Sequence, residues 1–195
     1  MTPQYDNSQI VHIGGVDHPE SISIGPDGQA FTTGTGCQVY QLDLKRNTST
    51  QFATTANRCL GQAVDADGVL YCAETGLGEV VRIDAKGESS TYATGPDGVR
   101  LACANYPAFD RQGNMYLSDS GDWSGQINGG LYKIPPGGGM AQRWYPNNVD
   151  TPNAIALDAA DPVALTLFPE MDANADIAEI TENCWSILNV APDDL

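Results

Sequence analysis

The sequence predicts an all-β protein, and within that class a β-propeller of four-stranded antiparallel blades. One pattern, a tight turn between two short apolar runs, returns four times, and successive turns end 40, 45 and 48 residues apart. The apolar residues beside the turns alternate with a period of two, which is typical of strands, and the 3.6-residue stripes of amphipathic helices are absent. Units of about 40 to 45 residues with four short strands are typical of propeller blades.

The turns anchor the repeat. In the first three turns glycine supplies a positive φ angle and aspartate caps the backbone, whereas the fourth turn has no glycine. The four turns are Asp27-Gly28, 65–68, 110–113 and 158–161. A first strand should precede each turn, at 21–24, 62–64, 107–109 and 154–157. A second strand should follow it, at 30–33, 69–73, 115–118 and 163–168.

Two outer strands should complete each blade, because two further alternating runs follow a glycine-rich link. The third strands are expected at 38–42, 79–83, 130–134 and 176–180, and the outermost at 49–52, 90–93, 141–145 and 185–188. The blades then span about 18–55, 57–95, 101–147 and 149–188, and 189–195 would begin a fifth. We interpret the chain as part of a larger ring. Residues 8–13 resemble the strand that clasps the last blade of closed propellers, and we expect the open edges to favour self-association.

Composition excludes several functions. The chain has 195 residues and a formal charge of −16, with only nine basic residues that form no cluster, which argues against nucleic-acid binding and against anionic membranes. The N-terminus has neither a basic region nor an apolar run, and no apolar stretch reaches about 18 residues. Five cysteines without C-x-x-C spacing favour reduced thiols rather than zinc or disulfides. We therefore expect a cytoplasmic protein.

A cation site is predicted where the first strands begin. These strands crowd around the axis of a propeller, so equivalent positions face one point. The position eight residues before the end of each turn holds Glu20, Leu60, Asn105 and Asn153, and Asp193 continues the register. Carboxylate and amide oxygens without histidine or cysteine suit hard cations, above all Ca²⁺, with Mg²⁺ and Mn²⁺ as alternatives and Zn²⁺ less natural. Repulsion between Glu20 and Asp193 would further favour a bound cation.

The oxygen-bearing residues of this register lie in four short segments, 18–21, 104–110, 151–158 and 191–195, and two similar strand segments, 70–76 and 115–121, follow the second and third turns. The first four resemble the metal-site motifs of the SMP-30/gluconolactonase/luciferin-regenerating-enzyme family, and the last two resemble its blade strands. The resemblance covers residues 15 to 160 well and implies a six-bladed propeller with a divalent cation, usually calcium, in the channel. It also implies a hydrolase of lactones or related esters, and therefore a small-molecule lactone or ester as substrate.

The resemblance assigns roles by position. Glu20, Asn153 and Asp193 would be metal ligands, Asn105 a ligand or substrate contact beside the metal, and Asp193 the acid/base group as well. The family often has a substrate-binding arginine two residues before the equivalent of Asn105, and this chain has Cys103 there. His18 precedes Glu20 at the channel rim, so a substrate contact and a loop role are both open.

Two other interpretations remain open. The chain could be a non-catalytic NHL-like propeller that binds a peptide or small ligand on its blades, or a degenerate fragment that folds only with another copy or with further blades. Two local patterns carry little weight. Residues 172–176 lack the glycine and closing glutamate of an EF-hand loop, and the glycines at 137–139 lack the lysine and helix of a phosphate loop.

Overall fold

The computed structural model describes residues 10–122, 126, 129–149 and 151–157, together with the backbone of the strands at 163–167 and 187–190. It confirms the all-β propeller: four sheets follow one another along the chain, and the arc that they form stays open within the described residues. No helix in this part of the chain has the length and apolar character needed to cross a bilayer.

The first two blades each contain four antiparallel strands of their own. The first contains β1 (Ile22–Ile24), β2 (Ala30–Thr33), β3 (Gln38–Asp43) and β4 (Thr48–Thr54), paired in that order. The second contains β5 (Cys59–Val64), β6 (Leu70–Glu74), β7 (Glu79–Ile83) and β8 (Ser89–Thr94), also in chain order. All of these pairings are antiparallel, as the repeat predicts. A short 3₁₀ turn at Pro96–Gly98 leads to the third sheet.

The link before the outermost strand of the third sheet forms a pairing that the sequence did not predict. It contains β9 (Ala104–Phe109), β10 (Met115–Asp119), β11 (Gly130–Ile134) and β13 (Gln142–Arg143). The glycine-rich link before β13 forms β12 (Gly139–Met140), which pairs in parallel with β8 of the second sheet. Gly138 permits this close approach, since its φ of 89° is left-handed and a Cβ there would collide with the carbonyl oxygen of Tyr92.

The fourth sheet differs from the prediction at its outer edge. It contains β14 (Pro152–Leu157), β15 (Val163–Leu167) and β16 (Ile187–Val190). Residues 187 and 188 were expected in the outermost strand, but β16 pairs directly with β15, and it includes Asn189 and Val190, where a fifth blade was expected to begin. The expected third strand at 176–180 and the turn at 158–161 lie outside the described residues. The blade boundaries as a whole stay a prediction.

Aspartate turns explain why the first strand of a blade folds back onto the second. In the second blade the Asp65 carboxylate accepts backbone hydrogen bonds from Asp67 and Val69, both 2.9 Å, and Gly68 adopts a φ of 82°. Asp110 and Gly113 repeat this geometry in the third blade. A left-handed residue closes each turn, and glycine reaches that conformation without the strain that a side chain would add.

The core lies in layers between neighbouring sheets, because successive side chains of each strand point to opposite faces. On β6, Leu70 and Cys72 pack toward the first sheet, whereas Tyr71 and Ala73 pack toward the third. A further cluster around Tyr116 and Ile155 joins the third sheet to the fourth. The blades are therefore held together face to face, and the position of each innermost strand is fixed by its neighbours.

The outer face of the first sheet is only partly covered. Ile22 and Ile24 of β1 are 59% and 63% exposed. The serines that alternate with them, Ser21 and Ser23, point the other way and bond to Gln62 of the second blade. Residues 10–13, part of the expected clasping strand, form no strand, and Ile13 packs beside Tyr40 on this face instead. Exposed apolar residues on an open sheet face are consistent with the expected self-association, which stays a prediction.

Candidate functional site

The beginnings of the innermost strands surround one cavity of about 510 Å³. Strands β1, β5, β9 and β14 contact one another in that order, so each blade contributes residues to the wall. Four residues predicted to share one register all line this cavity: Glu20, Leu60, Asn105 and Asn153. The volume falls within the roughly 300–1,000 Å³ typical of small-molecule sites. Asp193, the fifth residue of that register, lies outside the described residues.

Close contact between the second and third blades brings their first strands together at the cavity. A Cβ on Gly61 would lie 2.6 Å from the carbonyl oxygen of Asn105 and 2.5 Å from Cδ2 of Tyr106, so only glycine fits at this point. Burial raises the pKa of the Tyr106 phenol, which therefore remains protonated at neutral pH. The absence of a side chain at position 61 sets how closely the two walls approach.

Hydroxyl groups of the second strand bind the innermost strand of the next blade at equivalent positions. The residue five positions after the turn glycine is Thr33 in the first blade and Ser118 in the third. Thr33 donates to the carbonyl oxygen of Leu60 at 3.2 Å, and Ser118 donates to that of Asn153 at 2.5 Å. The same inter-blade hydrogen bond thus fixes the backbone of a register residue in two blades.

The orientation of the Asn105 amide follows from the hydrogen bonds of Ser120. The Ser120 hydroxyl donates its one proton to the carbonyl oxygen of Pro152 at 2.7 Å. It can therefore only accept from Asn105, whose Nδ2 lies 2.6 Å away. Asn105 and Ser120 are 3% and 2% exposed, so this arrangement is enclosed by protein. The Oδ1 atom of Asn105 must point away from Ser120, and no hydrogen bond among the described residues uses it.

Glu20 carries the negative charge on the described wall of the cavity, and Arg58 carries the positive charge. Arg58 Nη2 donates to Glu20 Oε1, which forms an ion pair across the first and second blades. The two side chains are 42% and 39% exposed, so water screens the pair. The described charged side chains of the cavity therefore neutralise each other.

Arg58 was missed by the sequence analysis, although a signal was present. It lies ten residues before Gly68, and Cys103 lies ten residues before Gly113, so the two occupy the same register in successive blades. Both line the cavity. A basic residue two positions before the register of the oxygen-bearing side chains was therefore visible in the sequence.

Buried carboxylates at equivalent positions of the second and third blades hold the backbone just before the innermost strand. Six residues after the turn glycine lie Glu74 in the second blade and Asp119 in the third, and both are buried. Glu74 Oε1 accepts from the backbone N–H of Asn57 at 2.8 Å, next to Arg58. Asp119 accepts from the N–H groups of Ala102 at 3.1 Å and Cys103 at 2.7 Å. Burial raises the pKa of the Glu74 carboxyl.

His18 does not line the cavity, although it was expected to contact substrate or to serve a loop. Its side chain is 81% exposed, and Nδ1 lies 2.8 Å from Oδ1 of Asp17. That aspartate also accepts from the Thr35 hydroxyl at 2.7 Å. In this structure His18 belongs to a surface hydrogen-bond group beside the entrance, and its role in substrate binding stays a prediction.

The donor set fits a hard divalent cation. Glu20 offers a carboxylate with one oxygen outside the Arg58 contact, Ser120 directs the amide oxygen of Asn105 away from itself, and Asn153 lines the same cavity. These are the ligand types that Ca²⁺ prefers. Among the described residues, no three His, Cys, Asp or Glu side chains cluster closely enough to hold a metal, so a site formed by these residues would depend on amide oxygens.

By its fold, the chain is a β-propeller protein with a cavity where its innermost strands begin. The sequence model of the SMP-30/Gluconolactonase/LRE-like region matches residues 35–166. The chain belongs to this family, as the motifs predicted. No curated protein is similar to the chain in sequence.

Solved structures share the fold. A gluconolactonase from Xanthomonas campestris matches with a TM-score of 0.70 and 18% identity, covering 86% of this chain and 63% of its own. A virginiamycin B lyase from Staphylococcus aureus matches with a TM-score of 0.60 and 14% identity, covering 77% of this chain and 49% of its own. A streptogramin B lyase matches with a TM-score of 0.61 and 16% identity, covering 82% of this chain and 50% of its own. The chain thus spans about half to two thirds of these structures.

Proposed function

We propose that this chain carries the cation-binding part of a divalent-metal-dependent hydrolase that acts on lactones or related esters. The observation that carries the proposal is the Asn105 amide, whose oxygen is turned away from Ser120 in a cavity that Glu20 and Asn153 also line. Because Nδ2 of Asn105 donates to Ser120, Oδ1 is held in one direction and can accept a bond or bind a cation. An acceptor held in this way in a cavity of this size favours a ligand there. Membership of the family supports the same class of reaction.

Glu20, Asn105, Asn153 and Asp193 would hold the cation, with calcium as the first candidate. When bound, the cation would supply Lewis-acid polarisation of the substrate carbonyl. The chain's own residues would orient the substrate: Asn105 by its amide, and Leu60 and Gly61 by shaping the wall. Asp193 is proposed as the acid/base group on the basis of the resemblance, since it lies outside the described residues.

Calcium titration by calorimetry tests the proposal. The wild-type chain should bind Ca²⁺ with roughly micromolar affinity. Glu20→Gln removes the carboxylate charge and Asn153→Ala removes an amide oxygen, and each should weaken binding by at least about tenfold. Glu88→Gln is the matched control, because Glu88 is exposed and its backbone N–H, which the change keeps, bonds to Asp84. Equal affinity in all four proteins would contradict the assigned site.

Activity provides the second measurement. Proton release from glucono-δ-lactone should stop when a chelator removes the cation and return when calcium is restored, because the reaction would need the polarised carbonyl. Calcium binding without turnover on any lactone would support the site and contradict the hydrolase assignment. Lyases share this fold, so the fold by itself does not select the reaction.

A non-catalytic ligand-binding propeller is the second candidate. The observation that favours it is the Arg58–Glu20 ion pair, which neutralises the described charges of the cavity without a metal. In that case the cavity would bind a small ligand directly, and the oxygen-bearing register would have no metal role. Absence of calcium binding to the wild-type chain would favour this candidate over the hydrolase.

A further inference from the structure

Arg58 is the basic residue among those that line the described cavity, and its hydrogen bonds are incomplete. A guanidinium has five N–H donors in a fixed planar fork. Glu20 accepts one of them, from Nη2. The Nε atom is buried and has no acceptor among the described residues. A buried donor without a partner is unfavourable, so a movement of the guanidinium that brought Nε to an acceptor would be favoured.

The backbone of Arg58 is fixed while its side chain can exchange partners. The Arg58 carbonyl oxygen accepts from both the N–H and the hydroxyl of Thr75, at 3.0 and 3.1 Å. Glu74 holds the preceding residue, Asn57. The Arg58–Glu20 pair itself is about 40% exposed at both side chains, and ion pairs of this kind are weak. The guanidinium can therefore leave Glu20 without moving the strand.

We infer that Arg58 alternates between two partners: Glu20 when no cation is bound, and a carboxylate of the ligand once a divalent cation has taken Glu20. The inference rests on the proposed function, because it needs the cation site. A cation bound to Glu20 would balance the charge of the carboxylate that Arg58 now contacts through Oε1, and so would weaken the ion pair. Loss of that partner would leave the guanidinium beside a second positive charge, in a cavity that then attracts an anion.

A hydroxy-acid carboxylate is the ligand class that fits. Lactone hydrolysis converts a neutral ring ester into such a carboxylate, so the proposed reaction itself generates the group. The planar fork of arginine matches a carboxylate with two parallel hydrogen bonds, and Nε, which is now buried without an acceptor, would become the second donor once the guanidinium has left Glu20. Because linkage is reciprocal, cation and carboxylate ligand should each raise the affinity for the other.

Calorimetry on the full chain tests the competition. Arg58→Gln should bind Ca²⁺ at least about fivefold more tightly than wild type, because the cation no longer displaces an ion pair. Arg58→Lys keeps the charge and should bind close to wild type, which separates charge from packing. Arg46→Gln is the control, since Arg46 pairs with Asp43 on the surface and lies outside the cavity. Equal or weaker calcium binding by Arg58→Gln would overturn the inference.

D-Gluconate tests the second partner. At saturating calcium, gluconate should bind wild type roughly tenfold more tightly than it binds Arg58→Gln, and calcium should raise its affinity for wild type only. Association of calcium with gluconate in solution is the same in both titrations and cancels. Equal gluconate affinity in the two proteins would overturn the inference while leaving the cation site intact. Absence of calcium binding to wild type, Arg58→Gln and Arg58→Lys would overturn both the inference and the proposed function.

Discussion

The segments that lead into the innermost strands of the second and third blades have the same backbone arrangement but different side chains. In both, a buried carboxylate six residues after the turn glycine holds the segment that leads to the cavity. Asp119 uses both of its oxygens, and Oδ1 also accepts from Gly121 at 3.0 Å. Glu74 leaves Oε2 buried and without a partner among the described residues. The repeat therefore fixes where the backbone enters the cavity, but it does not fix how well each carboxylate is satisfied.

The next residue extends the comparison. Thr75 in the second blade and Ser120 in the third both follow these carboxylates and both have a hydroxyl. Thr75 donates to a backbone carbonyl that its own N–H already contacts, whereas Ser120 sets the direction of the Asn105 side chain. The hydroxyl at this position therefore holds the backbone at Arg58 in the second blade, and in the third blade it orients Asn105, a proposed metal ligand. Equivalent positions share geometry, and their chemistry depends on the neighbouring side chain.

Asp119→Asn should have the largest effect on stability. An amide in place of the carboxylate would turn a donor toward backbone N–H groups that now have acceptors, so at least one hydrogen bond is lost and a donor is buried without a partner. We expect a loss of about 2–3 kcal/mol in the free energy of unfolding, measured by urea titration. Asp67→Asn, at an exposed turn position, should change it by less than about 0.5 kcal/mol. A loss for Asp119→Asn no larger than that of the control would contradict this reading.

Ser120→Ala should have an intermediate effect that appears in binding as well. It removes the bond to Pro152 and the acceptor that orients Asn105, so stability should fall by about 1–2 kcal/mol. Calcium affinity should fall by roughly tenfold, because Asn105 loses its fixed orientation. Thr75→Val is the matched comparison, since the Thr75 N–H still bonds to Arg58 and calcium affinity should not change. Calcium titrations that show the same affinity for both variants would remove the proposed difference between the blades.

Glu74→Gln should have the smallest effect at neutral pH, within about 1 kcal/mol of wild type, because one oxygen has no partner to lose. Its signature is the pH dependence. The folded pKa of Glu74 is raised above 4.5, so the folded state holds the proton more tightly than the unfolded state. The contribution of Glu74 is present at low pH and is lost as pH rises through the folded pKa.

Unfolding free energies measured from pH 4 to pH 8 would show this contribution. The difference between wild type and Glu74→Gln should decline as pH rises, because the variant cannot ionise at this position. A difference that is constant with pH would show that Glu74 ionises in the folded chain as it does in the unfolded chain. Such a result would contradict the raised pKa of the Glu74 carboxyl.

Much of the fold could be predicted from local sequence. The strands β2, β7 and β11 have the predicted bounds, because alternation and glycine turns are local signals. The shared register of Glu20, Asn105 and Asn153 also followed from the repeat, and all three line one cavity. Their roles as ligands remain predictions. The resemblance to the family was confirmed by the match over residues 35–166.

Contacts between blades could not be predicted in this way. The parallel pairing of β12 with β8 joins residues of different repeats, and no alternation within one repeat encodes it. The ion pair of Arg58 with Glu20 could not be predicted for the same reason, because its two residues belong to different blades. Within the fourth sheet, the pairing of β16 with β15 was also missed, because alternation predicts a strand but not the strand beside it.

The sequence by itself determined the repeat, the strands and the register that leads to the cavity, since turns and alternating side chains act over a few residues. Only the tertiary structure decided which side chains meet there. The direction of the Asn105 amide depends on Ser120, which follows β10, and on Pro152 of β14, and the charge of Glu20 is balanced by an arginine from the next blade. Hydrogen bonds and ion pairs require atoms within a few ångströms, and only the packed blades bring these distant residues that close.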